Sequence, residues 1–194
     1  MTPYNIIGSS FLKELRCNRM NLEELKLKFD RKEELEFCFF WKSNSYFSNW
    51  YPSDFEINGI VYWCVEQYMM AKKAELFRDY NSFRYIMASN SQKEIKALGR
   101  KVMGFNEEIW AKNRERIVFE GNYAKFTQNP ILKSYLLKQK DKILVEASPY
   151  DKIWGIGYDN SDLVFVCNPY NWRGLNLLGF TLMRVRDKII EESR

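Results

Sequence analysis

The sequence predicts an α+β fold: a helix-rich single domain with a small, mainly antiparallel sheet. Three observations point there. Strand-like and helix-like runs follow one another without the regular βαβ alternation of a parallel sheet. Asn58-Gly59, flanked by alternating apolar residues, is a β-hairpin signature. Caps and helical periodicity mark several helices, and no repeat, low-complexity tract or Pro/Gly/Ser linker divides the chain.

Residues 1–35 read as an N-terminal appendage, in which the charged stretch 21–32 carries Leu22, Leu25 and Leu27 at helical spacing. Residues 36–194 form the main domain. Residues 36–41 are a strand rich in aromatics, and 42–51 a polar-aromatic loop. The hairpin follows, its register setting Ile57 against Ile60 and Phe55 against Tyr62. A helix bearing Glu66 comes directly after it. Ser91-x-x-Glu94 is a capping box opening a helix through Ile95, Leu98 and Val102, with Gly104 as its stop. Asn106 caps the next, with Glu107 and Glu108 in its first turn and Trp110, Arg114, Ile117 and Gly121 along one stripe. Asn129-Pro130 opens a short helix, residues 143–146 are a strand, and residues 163–167 are a second short apolar run. Leu178, Leu182, Val185 and Ile189 mark a terminal helix.

Composition narrows the chemistry. A chain of 194 residues that is 46% hydrophobic has ample material for one core, and 16% aromatic content provides for a stacking pocket. The net charge of +5, from 30 basic and 25 acidic residues of interspersed sign, suits anionic substrates without marking a dedicated nucleic-acid arm. Lys72, Lys96, Lys101 and Lys125 are the lysines that could follow a nucleic-acid backbone. Cys17, Cys38, Cys64 and Cys167 lack C-x-x-C spacing, and no histidine exists to complete a zinc set, so no metal is expected. The opening residues do not read as a secretory leader, and no apolar run approaches the roughly 20 residues of a membrane span. Reduced thiols in a cytoplasmic protein, with no membrane partner, are therefore expected.

With no histidine, proton transfer near neutral pH falls to carboxylates, amines, thiols or phenols. Glu66 and Lys73, seven residues apart, face the same way on a helix, about 10 Å apart along its axis. Both then lean toward one bound molecule, although a solvated helix face produces the same spacing. The other polar concentrations are the 43–49 loop, the Trp110/Arg114 stripe, residues 146–157 with Gly155 and Gly157, and Arg173-Gly174-Leu175-Asn176.

Read together, these pieces resemble the NADAR (YbiA-like) family of N-glycosidases. The resemblance is carried by Phe47-Ser48-Asn49-Trp50, Trp63-x-x-Glu66-x-Tyr68-x-x-Ala71-x-Lys73, Ile95-Lys96-Ala97-Leu98-Gly99-Arg100 and Trp110-x-x-x-Arg114. It continues through Ala124-Lys125-Phe126-x-Gln128-Asn129, Leu144-x-Glu146-x-Ser148, Asp151-x-x-Trp154-Gly155-x-Gly157 and Asn176-x-Leu178-Gly179. It implies a YbiA-like fold and an enzyme that cleaves the bond between C1′ of ribose and an exocyclic amine. The implied substrate is ADP-ribosylated guanine in nucleic acid or a phosphorylated ribosylaminopyrimidine intermediate of riboflavin synthesis. No cofactor is implied. By the same resemblance Glu66, Lys73 and Asp151 are catalytic, and Ser48, Asn49, Tyr68, Arg100, Trp110, Arg114, Glu146, Trp154, Gly155 and Asn176 bind substrate. The chain departs from the family pattern at Gln67, where a histidine is common, at Met70 and Lys72, at Ile156 and in a longer 158–173 segment. A non-catalytic ADP-ribose or nucleotide binder, or a partner of a toxin docked through residues 1–35, is the alternative.

Overall fold

The structure, a computed structural model, describes residues 20–194. The first half of the expected appendage lies outside the described residues. Its second half contains helix α1 (Leu22–Asp30), capped by Asn21, whose side chain accepts from the Glu24 amide. Leu25 of α1 is buried, so this part of the appendage packs onto the domain.

Strands β1 (Phe37–Phe40) and β4 (Ile143–Glu146) pair in parallel, with Phe37 opposite Ile143 and Phe40 opposite Glu146. Among the described residues, antiparallel pairing is confined to the hairpin of β2 (Phe55–Ile57) and β3 (Ile60–Tyr62). The hairpin has the expected register, and Asn58 and Gly59 take φ of 54° and 78°, as a type I′ turn requires. Phe55 and Tyr62 face the core while Val61 is exposed.

Helix α2 (Val65–Leu76) is the centre of the fold, packed among α3 (Tyr80–Ala88), α4 (Gln92–Arg100) and α5 (Glu107–Gln128). Residues 65–71 of α2 are all buried, which fits a helix enclosed on several sides rather than one with a single apolar stripe. Two glycines permit that enclosure. A Cβ at Gly121 of α5 would lie 2.8 Å from the Tyr68 ring, and one at Gly99 of α4 would lie 2.0 Å from the Met70 sulfur. The stripe expected on α5 is inward-facing, with Trp110, Ile117 and Gly121 buried.

Helix α3 escapes the periodicity argument but carries a cap signal: Asp79 accepts from the Ser82 amide and hydroxyl and from the Met103 amide. The box at α4 is relayed. Ser91 accepts from the Glu94 amide, but the Glu94 carboxylate turns to the Ser89 hydroxyl, which in turn accepts from the Ser91 amide. α4 ends at Arg100, and Gly104, at φ 68°, turns the chain toward Asn106, the cap of α5. Helix α6 (Pro130–Leu137) follows with proline in its first turn. The apolar run at 163–167 is one turn of helix, α7 (Leu163–Val166), capped by Asp162. The terminal helix α8 (Leu177–Glu191) lies against β4 and α5. Among the described residues no helix is long and apolar enough to cross a membrane.

Candidate active site

Glu66 sits in the first turn of α2, after Cys64, whose extended backbone and sulfur cap the helix against the Gln67 amide. Its own amide donates to the Asn49 carbonyl at 2.9 Å, tying the helix start to the 46–49 turn. The side chain is buried, and desolvation pushes its pKa up to about 8; the Asp151 carboxylate adds to that, while Lys96 and Lys73 oppose it. A carboxylic acid is thereby kept protonated at neutral pH.

Glu146, the last residue of β4, is the second such acid. Burial first, then the charges of Asp151 and Glu66, push it up to about 8 as well, against the pull of Lys96. Its Oε2 is buried without a hydrogen-bond partner. The backbone around it is clamped by Asn176, held in the left-handed region at φ 52°: its Oδ1 accepts from the Glu146 amide at 3.0 Å and its Nδ2 donates to the Leu144 carbonyl at 2.9 Å. The Glu146 carbonyl accepts from the Ile156 amide, which draws the glycine-flanked loop back onto the strand end. A Cβ at Gly155 would lie 2.7 Å from that carbonyl. Asp151 folds this loop by accepting from the Ile153 and Trp154 amides at 2.9 and 2.7 Å, which leaves a half-buried Trp154 beside it.

Lys73, two turns along α2 from Glu66, is half-buried. Desolvation lowers its pKa, while Glu107 and Glu66 raise it. Its Nζ donates to the Gly99 carbonyl at 2.9 Å and lies 4.0 Å from the centre of the Phe105 ring and 5.7 Å from that of Trp110. The expected acid–amine pair therefore shares one electrostatic neighbourhood, and Trp110 walls it. Arg114 pairs with Glu107 at 3.2 Å and keeps a buried Nε without a partner; Arg100 is exposed at the end of α4.

Other expected residues have different surroundings. Tyr68 points into the core, edge-on to Tyr62 and Phe55, its hydroxyl donating to Glu120 at 3.0 Å. Asn176 is enclosed, its amide wholly engaged by β4. Ser48 and Asn49 are buried beneath the site, Ser48 accepting from the Trp50 amide and Asn49 from the Asn122 amide. Gln67, the substituted position, is structural: it accepts from the Trp63 amide and donates to the Ile86 and Ser89 carbonyls, joining α2 to the end of α3. One expectation is overturned. Lys125 follows no nucleic acid, because it has no exposed surface. Of the other surface lysines, Lys72 pairs with Glu75. Lys96, read from the sequence as a possible backbone contact, is an exposed lysine on α4 whose charge reaches both Glu66 and Glu146, a role its spacing did not reveal. Among the described residues no group of three or more metal-ligating side chains forms.

Two carboxyls raised by desolvation, Glu66 and Glu146, with the Lys73 amine adjoining, make this the candidate acid–base site of the fold. Comparison with known proteins specifies the kind. The NADAR domain family matches residues 39–190, and the chain belongs to that family. It is 49% identical, over 73% of its length and 86% of the relative's, to N-glycosidase R617 of Acanthamoeba polyphaga mimivirus. A segment covering 59% of the chain is 30% identical to 18% of the riboflavin biosynthesis protein PYRR, chloroplastic, of Arabidopsis thaliana. The fold is that of the E. coli protein YbiA, solved by NMR, with a TM-score of 0.67 at 24% identity over 81% of this chain and 87% of that one. The chain is thus a NADAR enzyme of the N-glycosidase class.

Proposed function

We propose that this enzyme hydrolyses the bond between C1′ of a ribose and an exocyclic amine, with Glu66 as the general acid. The substrate is ADP-ribosylated guanine in nucleic acid or a phosphorylated ribosylaminopyrimidine of the riboflavin pathway. The observation that carries the reading is Glu66 itself: a buried carboxyl that remains protonated to about pH 8, next to a second raised acid and a depressed lysine.

The chemistry follows from the substrate. An exocyclic nitrogen on C1′ pushes its lone pair toward C1′, and the C1′–ring oxygen bond breaks once that oxygen takes the proton of Glu66. The product is an open-chain imine. Lys73, as a neutral amine, donates one N–H to the Gly99 carbonyl and keeps its lone pair for C1′. The N–C1′ bond to lysine forms, a proton passes from the lysine nitrogen to the base nitrogen, and the bond to the base then breaks so that the base leaves as its free amine. Water, activated by Asp151, then adds to the lysine imine and releases the sugar. Trp110 and Trp154 stack the heterocycle, and Arg114, with its unpaired Nε, and Arg100 bind phosphate.

One observation favours a second route. The Lys73 Nζ lies 4.0 Å from the Phe105 ring centre, a placement that stabilises an ammonium. A charged Lys73 would bind phosphate while Glu66 and Asp151 carry out direct hydrolysis. Borohydride reduction during turnover separates the two: the lysine route leaves a ribosyl adduct on Lys73, and direct hydrolysis leaves the protein unmodified. Activity itself is tested side by side on an ADP-ribosylated guanine oligonucleotide and a phosphorylated ribosylaminopyrimidine. No release of base from either substrate would refute the reading.

A further inference from the structure

The proposed chemistry leaves one buried amine unused. Lys125 lies on α5 with no exposed surface, and its Nζ donates to the Tyr46 carbonyl at 2.7 Å and the Ser48 carbonyl at 2.9 Å. The rings of Phe126 and Tyr51 lie 5.1 and 5.6 Å from it, and the Cys64 thiol is nearby. Among the described residues no carboxylate forms an ion pair with it. Burial pushes the Lys125 pKa down to about 7, and a polar amine buried there, charged or neutral, carries a desolvation cost that methionine filling the same space would not. The two carbonyls are what the amine supplies and an apolar side chain cannot.

Those carbonyls belong to the turn that holds the catalytic helix. Asn122, one helical turn before Lys125 on α5, donates to the Asn49 side chain at 3.0 Å, and the Asn49 carbonyl receives the Glu66 amide at 2.9 Å. Two residues on one face of α5 therefore grip the turn at Tyr46, Ser48 and Asn49, and the turn grips the first turn of α2. We infer that Lys125 and Asn122 are positioning residues for the reaction, a brace that fixes the place of Glu66 without touching the substrate. This rests on the acid role proposed for Glu66.

The test uses Lys125→Met, which keeps the stem and removes the donors, and Asn122→Ala, which removes one amide. Both are assayed at a temperature where circular dichroism and a thermal melt show folded protein. The charged groups that set the Glu66 pKa are unchanged in both variants: Lys96 on α4, Asp151 in the loop after β4 and Lys73 on α2 itself, as is Glu146 at the end of β4, whose own pKa feels the Glu66 charge. A loosened turn displaces Glu66 and admits water to it. The expected result is kcat lowered about tenfold or more with little change in KM, and an alkaline limb of the pH–rate profile moved about one pH unit or more toward acid. Folded variants with wild-type kcat and an unmoved limb would overturn the brace. A wild-type profile with no limb near pH 8 would instead overturn the acid assignment. If Lys125→Met does not fold, Asn122→Ala decides the matter by the same two readings.

Discussion

Glu66→Gln should make the protein more stable as it makes the enzyme inactive, and the stabilisation should grow with pH. The carboxyl ionises ordinarily near 4.5 and here near 8. Between those values the unfolded chain has released this proton while the folded chain retains it. The stability contribution is therefore intact below pH 4.5, falls as pH rises, and is fully lost above about pH 8. At ~1.4 kcal/mol per pH unit, wild type loses at most about 3.5 kcal/mol from this group by pH 7 and about 5 kcal/mol by pH 8.5. Water entry around the ionised group makes both figures ceilings. Glutamine is neutral throughout and carries no such loss; the titration of Lys125 is common to both proteins, whereas those of Glu146 and Lys73, which feel the Glu66 charge, change with it. Urea unfolding at pH 5, 7 and 8.5 measures the difference. It should be under about 1 kcal/mol at pH 5 and should widen by about 2 kcal/mol or more by pH 8.5. Activity should fall about a hundredfold or more, the usual contribution of a general acid. A stability difference that stays constant across this range would show that Glu66 is not held protonated by its burial, and the mechanism would lose its acid.

Lys73→Arg keeps a charge but cannot form an imine, so the lysine route expects near-complete loss of turnover, whereas direct hydrolysis expects much of kcat to survive; single-turnover assays decide. Tyr68→Phe removes only the hydroxyl bonded to Glu120, and its cost should be about 1 kcal/mol in urea unfolding with kcat/KM retained. A large rise in KM would instead return Tyr68 to the substrate site. Asn176→Ala leaves the Glu146 amide and the Leu144 carbonyl without partners and places alanine at φ 52°, so it should destabilise by about 3 kcal/mol or more in the same assay.

Much of the scaffold was legible because its signals are local. Asn58-Gly59 tolerates the positive φ at both positions that a type I′ turn needs, and the hairpin register follows from that turn. Ser91 and Asn106 each accept from an amide three residues ahead, a reach that only neighbouring sequence governs. The parallel pairing of β1 with β4 was not legible, since about a hundred residues separate the strands and neither records its partner. Glu66 and Lys73 could be singled out from their helical spacing and from the absence of histidine. Lys125 misled, because a lysine reads as surface until its acceptors, the Tyr46 and Ser48 carbonyls, are known to be packed against it.

The residues alone thus determined which groups could move protons: carboxyls and amines, on a helix that places Glu66 and Lys73 along one face. They also determined the local turns and caps, whose energetics act over a few residues. What tertiary structure decided is the protonation of those groups. A carboxyl's pKa depends on the water excluded from it and the charges converging on it, and here those come from β4, α4 and the Asp151 loop, distant in the chain and adjacent only once folded.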